Sequence, residues 1–590
     1  MTASRVSYEV QIYSTDHWVL DRSFRTEAEA RAHGKTLFAN PRCEGYRVVK
    51  DWQKPIGYHF ETELICQFRP VFETLAVTPI EEAPLCTSDA QFYGVDSRLA
   101  MGRLLRSYIE RMVVTPTEIL HNHAEARRLL DRDSLVPTAL ARVASLQSGR
   151  SGDGATARRD ELFRIIDRLT ERTRGAEALP DLPNLESQGF DDAYGRLSDR
   201  LGGDDLAFTA LALLSRELVH MRSWMFKLDT LIGHLGPHPE AARAGPVSVL
   251  ETACADVLVA PSVLTTLLGS HASMLDEIVR TADLCQGRLD TDGLPADHRL
   301  VRLNDTLGSD LVADCRQVLF DTLRRQVRGA QPLTAHGDAA AEEEAFRTLL
   351  AHLTDSRGVL GGGGMAEALT IRFGRSLEST DADGRREAIT GVVARYADAK
   401  DRLRYLVSLA GSNLGREHAA DILTELQGLL ASAPDARLFI SDGVPLAEGL
   451  AEVTGLYELA VDSALAAADR RRLANAIDGL LALYLTNSGV IARLDSPYEP
   501  LRPRADRLLR LCIPGALKSP KALETIRQLV IGQLRQPEFE QRYTAGIGDP
   551  AKRQQALRDF YGLLTTAGFL QAMYLFSQTH IFLDAVHSFI

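Results

Sequence analysis

Long apolar runs are missing from this 590-residue chain. No stretch reaches the roughly 18 uncharged apolar residues that a membrane-crossing helix needs, so no membrane span is expected. The opening MTASRVSYEVQIY holds no apolar core of the kind a secretory leader requires and reads directly into a strand, so no signal peptide is expected either. Cysteine is sparse. The seven thiols, at 43, 66, 86, 254, 285, 315 and 512, form no CxxC pair. That fits reduced, mostly buried residues in a cytoplasmic protein better than a disulfide framework or a zinc site. Lysine is rarer for the length, eight against fifty-nine arginines, a bias that reads as the codon usage of a GC-rich bacterial genome. Positive charge is outweighed: the net charge is −12, which argues against general nucleic-acid binding because phosphate neutralisation needs a basic face.

Assembled catalytic signatures are also lacking. His121 and His123, in Leu120-His121-Asn122-His123, stand two apart on a helical pattern and point to different faces. They read as surface or capping histidines, and no metal site is expected. Gly361 to Gly364 lacks the lysine-serine or lysine-threonine ending of a phosphate loop and reads as a flexible loop. Asp290 to Gly293 and Asp381 to Gly384 look like fragments of calcium loops. With each glycine at loop position six, Arg288 and Ser379 fall at position one, and Arg299 and Thr390 at position twelve, where a glutamate is needed; both segments read as turns. No GxSxG elbow and no protease-type cysteine occurs, so no catalytic residue can be named and no cofactor is expected.

What is present is mainly helical periodicity behind a small α+β head. Tyr8, Val10 and Ile12 alternate with Glu9 and Gln11, the period of a half-buried strand. Trp18 to Phe24 gives a second strand, Thr26 to Glu29 a capping box opening a helix to about Phe38, Tyr46 to Asp51 a third strand, and Tyr58 to Phe68 a fourth. The predicted order is β-β-α-β over residues 1–75, followed by a linker at 76–96 and a large multi-helix bundle or irregular helical array. Helical regions are expected at 97–240, 246–440 and 441–590, broken by glycine and proline clusters that include Ser148 to Gly154 and Gly175 to Gly189. Thr115-Pro116-Thr117-Glu118 is a clean helix start: a cap, proline at the first helical position and the box glutamate.

Three features bear on function. Leu211, Leu214, Leu218, Met221, Met225, Leu228, Ile232 and Leu235 alternate spacings of three and four, which predicts one long heptad-patterned helix over 204–235. Its broad apolar stripe favours a bundle core over a homodimer seam. Arg502, Arg504, Arg507, Arg510, Lys518 and Lys521 face only Asp506 over 500–521, a basic segment that reads as a solvated face or as an anion or partner site. The end, Gly568 to Ile590, is rich in aromatic and apolar residues and is expected to dock on the protein's own body. Together these point to a non-catalytic, cytoplasmic regulatory or scaffold protein whose partners are proteins. The alternatives are an enzyme whose site is assembled from distant helices, and a sensor of a small ligand or nucleotide using residues 502–521.

Overall fold

The computed structural model describes residues 6–569 except 15–16, 40–42, 44, 54–58, 69–74, 133, 153, 237–239, 261, 336–337, 378–380, 488 and 515–516. The apolar tail from residue 570 onward therefore lies outside the described residues. The chain divides into two compact units, Met1–Leu323 and Arg324–Ile590. No helix among the described residues is long and apolar enough to cross a membrane.

The head of the first unit comprises β1 (Val6–Ser14), β2 (His17–Phe24), α1 (Glu27–Ala39), β3 (Gly45–Gln53) and β4 (His59–Phe68). The sheet is antiparallel with order β2-β1-β3-β4, so β2 and β4 are its edges. Alternation gives it two different faces. Val10, Tyr46 and Val48 turn to α1 and bury against Ala30. Tyr46 fits there because Gly34 has no side chain; a Cβ would stand 2.3 Å from the ring. The opposite face carries Gln11 and Arg47, paired in register and joined by a 2.8 Å hydrogen bond from Arg47 Nε to Gln11 Oε1.

Residues 76–96, expected to be a linker, form a strap packed on helices. Ile80, Ala83 and Cys86 are buried, and Thr78 N–H donates to Leu104 O at 2.9 Å. The principal helices that follow in this unit are α2 (Val95–Leu104), α3 (Pro116–His121), α4 (His123–Leu130), α5 (Leu135–Ser151), α6 (Ala155–Glu177), α7 (Gly203–Leu218), α8 (Trp224–Leu235) and α9 (Ala244–Leu258). The break expected at Ser148 to Gly154 shrinks to the residues around Gly152, whose φ of 76° ends α5 in the left-handed conformation that suits glycine.

The long helix expected over 204–235 is two helices, α7 and α8. Ser223 is extended (φ −137°, ψ 126°), and the neighbouring Arg222 carbonyl accepts a hydrogen bond from Arg47 of the sheet instead of continuing the helical ladder. Leu211, Leu214, Leu218, Met221, Leu228 and Ile232 are buried in this unit's own core, with Met225 packed against it. A break that keeps the heptad phase leaves the spacing of apolar residues unchanged, which is why periodicity alone reads through it.

In the second unit, Thr354–Asp355 (β5) and Gly358–Val359 (β6) form a short hairpin before α10 (Gly362–Gly374). The glycine run is therefore a helix start and not a flexible loop. Gly361 precedes the helix at φ 75°, and a Cβ on Gly363 would stand 2.8 Å from the backbone at Gly411 and Ser412. Asp381 likewise caps a helix, accepting from Gly384 N–H at 3.0 Å. Farther on lie α11 (Ala467–Asn487), α12 (Leu501–Leu511) and α13 (Pro520–Leu534).

Candidate functional site

The densest assembly of buried ionisable groups surrounds α3. Thr115 caps this helix by accepting from Glu118 N–H at 3.1 Å, and Glu118 Oε2 accepts from Thr115 N–H at 2.6 Å, completing the box expected from sequence. Because α3 is less than two turns long, its position depends on what grips its ends. Lys227, from α8, supplies one grip: its Nζ donates to Glu118 Oε1 at 2.5 Å, to Oε2 at 2.7 Å and to Val113 O at 2.6 Å. Both side chains of the pair are fully buried. Burial pulls the Lys227 pKa down, and Glu118 opposes it. Val113 sits at φ 50°, an unusual conformation for a β-branched residue, and the lysine holds its carbonyl in place.

Asp256, from α9, is the second grip. One oxygen accepts from Thr117 N–H and from Thr117 Oγ1, both at 2.7 Å; the other accepts from Arg98 Nε at 2.9 Å. Arg98 also donates to the carbonyls of Tyr93 and Thr252. His121 is neither a surface nor a capping residue, contrary to expectation. It is buried, lies 2.8 Å from Thr117 O through Nδ1, and packs against the rings of Tyr93 and Phe208, which also touch each other. Burial drives its pKa down to about 3, so the ring is neutral and Nδ1 donates. His123 opens the next helix, beyond the Asn122 cap, and belongs to no shared ligand set with His121. Among the described residues, no cluster of His, Cys, Asp or Glu could hold a metal ion.

Arg98, Glu118, Lys227 and Asp256 come from four separate segments, as an assembled active site would require. Yet they spend their polar atoms on each other and on backbone, out of reach of solvent. The arrangement holds α3 against α8 and α9. Sequence spacing did not single out Lys227 or Asp256. The available signal was a lone charge inside an apolar helix pattern: Lys227 beside Leu228 and Leu231, and Asp256 within Ala253 to Leu258.

The six basic residues of 502–521 do not converge. Arg504 Nε donates to Asp495 Oδ1 at 2.7 Å, and Gln533 shares that acceptor at 2.6 Å. Arg507 pairs with Glu499 and also reaches Leu494 O at 3.2 Å. Arg502 lies 4.0 Å from Asp506, Lys518 pairs with Glu458, and Arg510 is exposed. Lys521 contributes its backbone: Asp478, buried in α11, accepts from Lys521 N–H at 2.9 Å at the start of α13. Acids just upstream of the run, Asp495 and Glu499, and the distant Glu458 neutralise what looked unbalanced over 500–521 alone.

The sheet offers a different kind of site. β2 is hydrogen-bonded to β1 alone, and Val19 and Leu20 on it are 39% and 51% exposed. Beside them, on the face that carries Arg47, the rings of Tyr13, Trp18 and Phe68 meet with centroids 5.0–5.2 Å apart. The Arg47 guanidinium lies 4.7 Å from the centre of Trp18. An apolar edge strand flanked by Trp, Tyr and Arg has the composition of an interaction hot spot. Comparison with protein-family models, curated proteins and solved structures yields no match to this chain.

Proposed function

We propose that this protein is a cytoplasmic, non-catalytic regulatory or scaffold protein that works by binding other proteins, with its N-terminal sheet as a docking module. The outer edge of β2 carries this reading. Its backbone pairs on one side only, and its exposed Val19 and Leu20 adjoin the Tyr13, Trp18 and Phe68 rings. An extended segment from a partner would continue the sheet through main-chain hydrogen bonds, while apolar side chains at alternate positions would select it. Asp21, where the β1–β2 register shifts, accepts from His33 of α1 over 2.6 Å and fixes the edge on its helix.

The test is a photo-crosslinking side chain at position 20 in living cells, with the same group at exposed Glu417 of the second unit as control. A discrete adduct to one protein at position 20, lost on Trp18→Ala, is the expected result. Equal adduct patterns at both positions, or none at position 20, would refute the docking role.

A further inference from the structure

The first unit contains a pocket of about 190 Å³ between the strap and helices α2 to α6. Its walls are almost wholly aliphatic, exemplified by Met101, Leu129, Ala139 and Ile165, and among the described residues no Asp, Glu, Lys, Arg or His lines it. The strap forms one wall and is held by side chains from α5 and α6. Arg142 donates to Ile80 O at 2.7 Å, Gln147 donates to Pro84 O, and Arg158 donates to Cys86 O at 2.9 Å and to Gln147 Oε1 at 2.8 Å.

The few polar atoms of the wall are committed in one direction. Ser97 Oγ donates to Gln91 O at 2.7 Å, Thr170 Oγ1 to Ile166 O at 2.8 Å and Thr173 Oγ1 to Thr170 O at 2.7 Å. The Gln147 amide donates one N–H to Pro84 O and accepts from Arg158 Nε. The hydroxyl protons are therefore spent on backbone, and what the wall offers a ligand is mainly acceptor lone pairs, with no cation among them. A carboxylate or phosphate would lose its hydration and meet no cation to replace it. A hydrocarbon, or a molecule with a single hydroxyl to donate, would lose nothing.

We propose that this pocket is a binding site for a neutral, apolar small molecule of about seven to ten non-hydrogen atoms, hydrocarbon or alcohol in class, given that a dry cavity of roughly 150 Å³ already accommodates benzene. The site is separate from the sheet edge and does not depend on it.

The experiment compares ethylbenzene, 1-octanol and octanoate as probes of the full chain. Thermal unfolding and the methyl resonance of Met101 are followed, with the Met365 methyl of the second unit as internal control. Ethylbenzene and octanol are expected to raise the melting temperature saturably and shift Met101 but not Met365, whereas octanoate at equal concentration does neither. Ala139→Leu and Ala126→Leu, which fill the pocket from two walls, should abolish the shift while the unliganded melting temperature stays equal or rises. If a filled variant does not fold, the Met101 response of the native protein still decides. Octanoate binding as well as octanol, a Met101 methyl indifferent to both neutral probes, or undiminished binding by a folded, filled variant would overturn the proposal.

Discussion

Removing the ammonium of Lys227 should be among the costliest single changes in the first unit. Lys227→Met keeps the length of the side chain but leaves Glu118 as a carboxylate with no exposure and without its counter-ion. It also deletes the donor to Val113 O, which holds a left-handed valine. Loss of one partner of a buried pair costs about 3–5 kcal/mol, because the survivor is left charged and unsolvated. Glu118→Gln alone should cost a comparable amount by stranding the ammonium. In the double variant Lys227→Met/Glu118→Gln both charges are gone, while glutamine can still reach back to Thr115 N–H in the capping box. The double variant should therefore lie within about 1–2 kcal/mol of the native protein, giving a coupling of several kcal/mol. Trp224 reports on this site, since Lys227 Nζ lies 5.5 Å from its ring centre. Denaturant unfolding followed by Trp224 fluorescence, with Trp18 and Trp52 changed to phenylalanine, isolates the first unit from a chain of two. A Lys227→Met cost below about 1 kcal/mol, or a double variant no better than the sum of the singles, would show that the pair does not secure α3.

Two further perturbations test buried ionisable groups elsewhere in the chain. Burial raises the Glu61 carboxyl from 4.5 to about 8, with Arg47 opposing and Glu9 and Asp51 adding to the rise. The native state then holds the extra proton, so its stabilising effect is complete below pH 4.5 and is lost as pH climbs through about 8. Stability should fall across that window; Glu61→Gln should flatten the fall and leave the variant more stable than the native protein above it, as read by melting temperature against pH. An unchanged slope would refute the assignment. Asp495→Ala should cost about 2–3 kcal/mol by leaving the largely buried Arg504 and Gln533 without their shared acceptor. Thermal unfolding unchanged from the native protein would mean that Arg504 is available to an external anion after all.

The local chemistry of single elements was legible in the sequence. Alternation in Tyr8 to Ile12 and the Thr115-Pro116 start each depend on neighbours within four residues and form as expected, while at Thr26 the cap forms with Glu29 N–H at 3.4 Å and the Glu29 carboxylate accepts from the Thr26 hydroxyl. The dominance of helix behind a small β-β-α-β head follows from the same short-range periods, with β4 completing the sheet. Tertiary contact decided the rest. The 204–235 pattern is cut in two because the Arg222 carbonyl has a partner in the sheet, a competitor that lies 175 residues away in sequence. His121 is buried and neutral because segments distant in sequence, the Tyr93 and Phe208 rings among them, cover it. The α12 arginines read as a bare basic run over 500–521, yet the turn before the helix brings Asp495 and Glu499, nine and eight residues upstream of Arg504 and Arg507, back onto them. Lys227 and Asp256 acquire their roles only when α8 and α9 meet α3, since a buried charge is tolerable solely where its partner arrives in space. The sequence by itself determined which segments could be helix or strand and which of their faces had to be hidden; the packed structure decided what hides them, because desolvation and pairing are set by neighbours that chain order does not reveal.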